Sequence, residues 1–206
     1  MPRSDNLHEL PPDIPIPTDD GACDHLPGMK LPALELPSTA GRSITLAHLP
    51  GRTVVYICPR TGQPDVDPPL GWNEIPAARG CTPQSSDVLI RSAFRDHYRE
   101  LQTLGADVFG LSTQDPDYQR EAAERLHLPF ELLSDEHLAF AHALNLPTFE
   151  VAGMALIKRI TLILNAGIIE KAFYPVFPPD KNAEEVIEWL SENLHHEGTQ
   201  RYMKES

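Results

Sequence analysis

Hydrophobic and polar positions alternate along this chain in two periods, and the switches between them outline an α/β domain. Arg52–Cys58 (Arg-Thr-Val-Val-Tyr-Ile-Cys) is a β-branched run stopped by Pro59, the pattern of a strand buried on both faces. Ser43–Leu46 reads as a short strand before it. Ile90, Phe94, Tyr98, Leu101 and Leu104 then recur every three or four residues, which predicts one helix ended by Gly105. Asp107–Leu111 is a second buried strand, and Asp115 or Asp117 can cap a helix over 117–127. Phe130–Leu133 predicts a brief strand, with Ser134 as N-cap of a helix over 136–144. Arg159–Leu164 and Ile168–Tyr174 predict two strands joined by a turn at Asn165-Ala166-Gly167. A last helix, about 182–195, carries Val186, Leu190 and Leu194 on one face with Trp189 beside it. Strands alternating with helices, then an antiparallel pair, imply a sheet covered on both faces.

Between these elements the chain is irregular. Residues 1–26 form an arm without periodicity, 27–196 a single domain, and 197–206 a tail. Residues 60–80 are loop chemistry only, with Pro64, Pro68, Pro69 and Pro76, and an excursion of that length is usually functional. Proline is abundant in the whole chain, 21 of 206 residues, and clusters in the arm and this loop.

Charge and cysteine usage narrow the partners. A net charge of −13 argues against nucleic acid or an anionic membrane, since phosphate binding needs clustered Lys and Arg. No apolar run approaches the roughly 18 residues of a membrane span. The first residues show no secretory signal, and three cysteines, an odd number, do not build an extracellular disulfide framework. The expectation is a soluble, cytoplasmic protein. The histidines assemble no complete Cys/His ligand set, so no metal is expected. There is no Gly-rich phosphate loop, dinucleotide fingerprint or Gly-x-Ser-x-Gly elbow, so no cofactor is expected either.

One thiol stands out. Cys81 sits in Gly80-Cys81-Thr82-Pro83-Gln84-Ser85, at the mouth of the helix that follows the loop. Unpaired N–H groups and the helix dipole there stabilise a thiolate, the form that attacks peroxides and disulfides. A small apolar residue capping a helix fits the same position.

Longer stretches decide between these readings by resemblance. Gly80-Cys81-Thr82-Pro83-Gln84 resembles the peroxidatic segment of peroxiredoxins of the bacterioferritin-comigratory, or Q-type, subgroup. Val108-Phe109-Gly110-Leu111-Ser112 is similar to the strand end that follows in that family. Leu128-Pro129-Phe130-Glu131-Leu132-Leu133-Ser134-Asp135 is the most specific match, and Arg159-Ile160-Thr161-Leu162-Ile163-Leu164 resembles the strand bearing the active-site arginine. The resemblance runs in order from about Leu26 to Leu194. It implies a thioredoxin-like fold, a central mixed sheet with helices on both faces, and a thiol peroxidase. Cys81 then matches the peroxidatic cysteine and Arg159 the arginine beside it. The implied partners are a small peroxide and a thiol reductant such as thioredoxin, glutaredoxin or glutathione, and the implied assembly a monomer or homodimer.

Two departures from the family pattern are visible. The family's Pro and Thr stand seven and three residues before the cysteine, where this chain has Glu74 and Ala78. Pro59 and Thr61, ahead of the excursion, are the substitutes on offer, and Thr61 fits an ordinary turn residue equally well. The resolving thiol of the subgroup falls at Ser86, or at Ser92 when the chain is aligned from Ala93-Phe94-Arg95, so a hydroxyl replaces it. Cys58 and Cys23 are the remaining resolving candidates, Cys58 also reading as a buried strand residue and Cys23 as an incidental exposed thiol. Two rival functions follow from the same scaffold. One is a redox sensor or regulatory binding protein with little turnover; the other is a thiol–disulfide oxidoreductase, for which no Cys-x-x-Cys pair is present.

Overall fold

The computed structural model describes residues 16–62, 66, 69–71 and 86–204. A short pair, β1 (Leu36–Pro37) and β2 (Ser43–Ile44), and a 3-10 turn at Leu46–His48 lead into β3 (Arg52–Ile57). Then come α1 (Ser86–Asp96), α2 (Tyr98–Thr103), β4 (Ala106–Ser112), α3 (Pro116–Arg125), β5 (Leu132–Ser134) and α4 (Ala139–Ala143). A hairpin of β6 (Thr148–Val151) and β7 (Met154–Ile157) precedes β8 (Ile160–Asn165), β9 (Ile168–Phe173) and α5 (Asn182–Lys204).

The central sheet has the order β5-β4-β3-β8-β9. β3 pairs in parallel with β4 and antiparallel with β8, so the sheet is mixed, as expected from a crossover half followed by a hairpin half. Side-chain alternation along β3 divides the interior in two. Val54, Tyr56 and Cys58 face a core shared with Ile90, Phe94, Val186 and Leu190 of α1 and α5. Val55 and Ile57 face a second core with Phe140 and Leu144, closed by Cys23, Leu26 and Leu36 of the N-terminal segment. Among the described residues no helix is long and apolar enough to cross a membrane.

Local rules account for most element ends. Pro116 opens α3 directly after Asp115, whose carboxylate accepts the Tyr118 N–H at 2.8 Å, a cap worth about 1 kcal/mol. The turn between β8 and β9 places Ala166 and Gly167 at positive φ, the pair of left-handed residues a tight hairpin requires.

Elsewhere the structure corrects the sequence reading. The helix expected through Leu104 is interrupted at His97, where ψ opens to 4° although the His97 and Leu101 N–H bonds to residues four back persist. Ser134 does not cap α4. It ends β5, held extended by pairing with Ser112, and the Asp135 carboxylate caps instead, accepting from Phe140 and Ala141 N–H at 2.9 Å each. The sequence reading has no β6–β7 hairpin: Ala152-Gly153, at φ 48° and 76°, make the same turn as Ala166-Gly167, but β6 and the start of β7 are largely exposed and carry no buried-strand pattern. α5 continues to Lys204 rather than ending near 195, since no proline or capping pattern stops it.

Candidate functional site

Four of the candidates, Cys58, Pro59, Thr61 and Arg159, lie where β3 ends and β8 begins. In open α/β sheets this carboxyl edge is where ligands bind, because side chains and loop backbone converge there without closing on each other. β3 delivers Cys58, Pro59 and Thr61 to it. Ile57 lies opposite Ile160, so Arg159, the residue before Ile160, stands beside the strand end that leads into Pro59. Arg159 is only 5% exposed, and its Nη1 lies 3.5 Å from the Val176 carbonyl. It is not an outward-facing strand residue. Its neighbour Lys158 is half-buried and donates to Asp20 and to Tyr174 Oη at 3.0 Å each. The Tyr174 contact and Asp20 raise the Lys158 pKa, and Asp20 is held below the usual carboxylate range.

Thr61 is buried at 1% exposure and held from three sides. Its N–H donates to Gln114 Oε1 at 2.6 Å, its carbonyl accepts from Gln114 Nε2 at 2.9 Å, and its hydroxyl oxygen accepts from Arg91 Nη2. On either side of it, the Arg60 guanidinium stacks over Tyr118 at 5.4 Å and reaches Met154 Sδ, while Arg125 donates to the Gly62 carbonyl at 3.3 Å. Arg91 itself is buried on α1 at 1% exposure. The Arg91 guanidinium therefore reaches the residues just after β3, while Arg159 stands beside that strand end through the β3–β8 pairing.

Arg91 and Gln114 escaped the sequence reading. The one available signal for Arg91 was a cation at a helical position next to buried Ile90, three residues before buried Phe94. Gln114 lies in the Ser-Thr-Gln-Asp run after β4, where it passes for ordinary loop polarity.

Cys81, with the rest of Gly80–Ser85, lies outside the described residues; α1 begins five residues after it at Ser86. Of the expected resolving positions, Ser86 opens α1 and Ser92 is half-buried on the same helix. Cys58 is fully buried, its N–H bonded to the Leu111 carbonyl at 3.0 Å. Cys23 is 5% exposed rather than exposed, and it lies in the core on the opposite face of the sheet from Cys58. Burial, reinforced by the charges of Asp20 and Asp19, pushes the Cys23 thiol up to about 12. Native protein treated with iodoacetamide at pH 8 should therefore leave Cys23 unmodified, because almost none of it is thiolate, while denatured protein is labelled there at the rate of a free cysteine. Equal labelling in both states would contradict this.

A cavity of about 780 Å³ opens elsewhere, lined by Arg42, Tyr98, Asp107, Arg120 and Phe130 among others. Neither Thr61 nor Arg159 lines it.

Comparison with known proteins bears on the carboxyl edge of the sheet. The family model described as Redoxin matches residues 26–187. Chloroplastic peroxiredoxin Q of Populus jackii is 27% identical over 164 residues, 79% of this chain and 67% of that protein. The counterpart in Gentiana triflora is 29% identical over 161 residues, 77% of this chain and 64% of that one. The chain thus spans about two thirds of the length of these curated relatives. Among solved structures, peroxidoxin BcpB from Mycobacterium tuberculosis superposes with a TM-score of 0.64 at 21% identity, covering 82% of this chain and 98% of the other. The bacterioferritin comigratory protein of Xanthomonas campestris gives 0.61 at 21% identity, covering 92% and 99%. These superpositions establish the thioredoxin-like peroxiredoxin fold.

Proposed function

The chain belongs to the redoxin family, in its peroxiredoxin Q branch, and from that premise we propose that it is a thiol peroxidase with Cys81 as the attacking group. The observation that supports this reading is the Arg91 guanidinium on the Thr61 hydroxyl just beyond the end of β3, with buried Arg159 leading into the strand paired with that end. Arg91, ten residues after Cys81, ties the helix that Cys81 precedes to that same point. The X. campestris relative has been studied for alkyl peroxide reduction, which supports a hydroperoxide as substrate.

In the proposed reaction the Cys81 thiolate attacks the terminal oxygen of the hydroperoxide. An S–O bond forms as the O–O bond breaks, the sulfur gives up two electrons, and the departing oxygen leaves as water or an alcohol after taking a proton. Arg159 holds the thiolate and offsets the charge that grows on the departing oxygen. Thr61 donates a hydrogen bond to the peroxide, and Pro59, which is buried beside it, shields the sulfur from water. The sulfenate then condenses with a thiol to give a disulfide and water, and a second thiol restores Cys81.

The donor in this reading is an external thiol, glutathione or a glutaredoxin or thioredoxin. Its support is the burial of Cys58 and Cys23 in cores on opposite faces of the sheet, with hydroxyls at positions 86 and 92. A reducing, cytoplasmic setting and a monomeric or homodimeric working unit complete the proposal. Mass spectrometry of reduced protein after one equivalent of hydrogen peroxide tests it. The expected product is a single added oxygen trapped by dimedone on the peptide holding Cys81; in the presence of glutathione, the mixed disulfide appears there instead. Oxidation falling on Cys58 or Cys23 with Cys81 unmodified would remove the assignment.

A further inference from the structure

The ladder between β3 and β4 runs from Arg52 opposite Ala106 to Ile57 opposite Leu111, and the Cys58 N–H still reaches the Leu111 carbonyl. Pro59 ends it, because proline has no N–H to give. Two residues further on, a side chain replaces the missing strand partner. Gln114 Oε1 takes the Thr61 N–H at 2.6 Å and Gln114 Nε2 gives to the Thr61 carbonyl at 2.9 Å, so one planar amide holds both polar groups of one residue.

Gln114 is fixed in turn. Its N–H donates to Ser112 Oγ at 3.2 Å, and its carbonyl accepts from Gln119 Nε2 at 2.8 Å, which also donates to the Leu133 carbonyl at 3.0 Å. Thr61, Ser112, Gln114 and Gln119 are all buried. A flipped Gln114 amide would oppose N–H to N–H and oxygen to oxygen at Thr61. Each unmade buried bond leaves a desolvated polar group without compensation, so a single orientation survives. On the other side of Thr61, the Arg91 guanidinium donates to Oγ1. A hydroxyl has one proton and two lone pairs. With a cation's N–H on a lone pair and the backbone clamped, the hydroxyl proton is directed away from Arg91.

We propose that Gln114 is a positioning residue for peroxide reduction, acting through Thr61: its amide clamp, with Arg91 on Oγ1, aims the Thr61 hydroxyl proton at the peroxide oxygen. The inference rests on the reading of Cys81 as the peroxide-attacking thiolate. Its energetic logic is pre-orientation, since a donor fixed before the oxygen arrives requires no rearrangement as charge develops.

The test compares two rate constants at the same sulfur, oxidation by hydrogen peroxide and alkylation by iodoacetamide, the second needing the thiolate but no peroxide donor. Gln114→Met should lower the peroxide rate constant by roughly 10–100-fold, the scale of a misplaced catalytic group, and leave the alkylation rate and its pH profile unchanged. Thr61→Val should lose a similar factor, and Gln114→Met added to Thr61→Val should lose nothing more, because the proton it aims is gone. Thr61→Ser, which keeps the hydroxyl, should restore sensitivity to Gln114→Met. Wild-type peroxide kinetics in Gln114→Met, losses that multiply in the double variant, or alkylation falling in parallel would each overturn the inference. If Gln114→Met fails to fold by circular dichroism, Gln114→Asn, which stays neutral but is too short to hold both Thr61 groups, is expected to give the same split. Wild-type protein that takes no oxygen at Cys81 removes the peroxidase reading itself; wild-type oxidation with an indifferent Gln114 variant removes only this step.

Discussion

Cys81→Ser protein is expected to consume peroxide no faster than buffer containing the thiol donor alone. A serine hydroxyl remains protonated at any working pH and is far less polarisable than sulfur, so neither the attacking anion nor a sulfenate-like product is accessible to it. Removal of a covalent nucleophile typically costs on the order of 10⁴-fold or more, because the remaining residues bind and polarise without forming the bond. Consumption should be followed with hydrogen peroxide and with an organic hydroperoxide, each with glutathione and with a thioredoxin system. Turnover by Cys81→Ser comparable to wild type would show that another group reacts. Cys58, buried at the end of β3, would then be the sulfur to examine.

Arg159→Met should reduce the second-order rate constant for peroxide by about 10²–10³-fold, the usual cost of losing one donor to a developing oxyanion. Methionine fills similar volume in a site where the arginine is 5% exposed, so the change removes charge more than packing. The sign of a second effect is fixed by electrostatics. A nearby cation favours the thiolate, so its removal raises the thiol pKa and moves the rise of alkylation with pH to more alkaline values. Arg159→Lys retains the charge but not the planar fork, and should recover the alkylation profile more fully than the peroxide rate. This separates the two roles. A peroxide rate that survives Arg159→Met, with the alkylation profile unmoved, would assign the charge to Arg91 instead.

Much of the scaffold is written in local pattern. The run Arg52–Cys58 announces a central strand because both its faces are buried, and β3 does lie between β4 and β8. Helix α3 begins where an Asp-Pro pair can only cap and open a helix. The segment from Leu128 to Asp135 carries a family resemblance that the Redoxin match, spanning 26–187, upholds at the level of family. Other features are invisible at short range. Gly110 passes for a neutral strand residue, yet a Cβ there would stand 2.5 Å from Leu132 Cδ2 and 2.6 Å from Tyr56 Oη. That crowding accompanies the stacking of Tyr56 on Phe94, ring centroids 4.8 Å apart, and no spacing rule reports it.

From residue order alone came the alternation of elements, the mixed sheet, the family and the choice of Cys81, Arg159 and Thr61 as reactive candidates. The elements depend on periodicity and turn chemistry, which neighbouring residues settle among themselves, while the family and its candidate residues came from the resemblance of short motifs. Folding decided which groups share the end of β3. Gln114 reaches Thr61 across 53 residues of chain and Arg91 across 30, and Cys23 is removed to the other face of the sheet. Such partnerships arise because buried N–H, hydroxyl and guanidinium groups must find acceptors or donors wherever the packed sheet brings them, however far apart they stand in the chain.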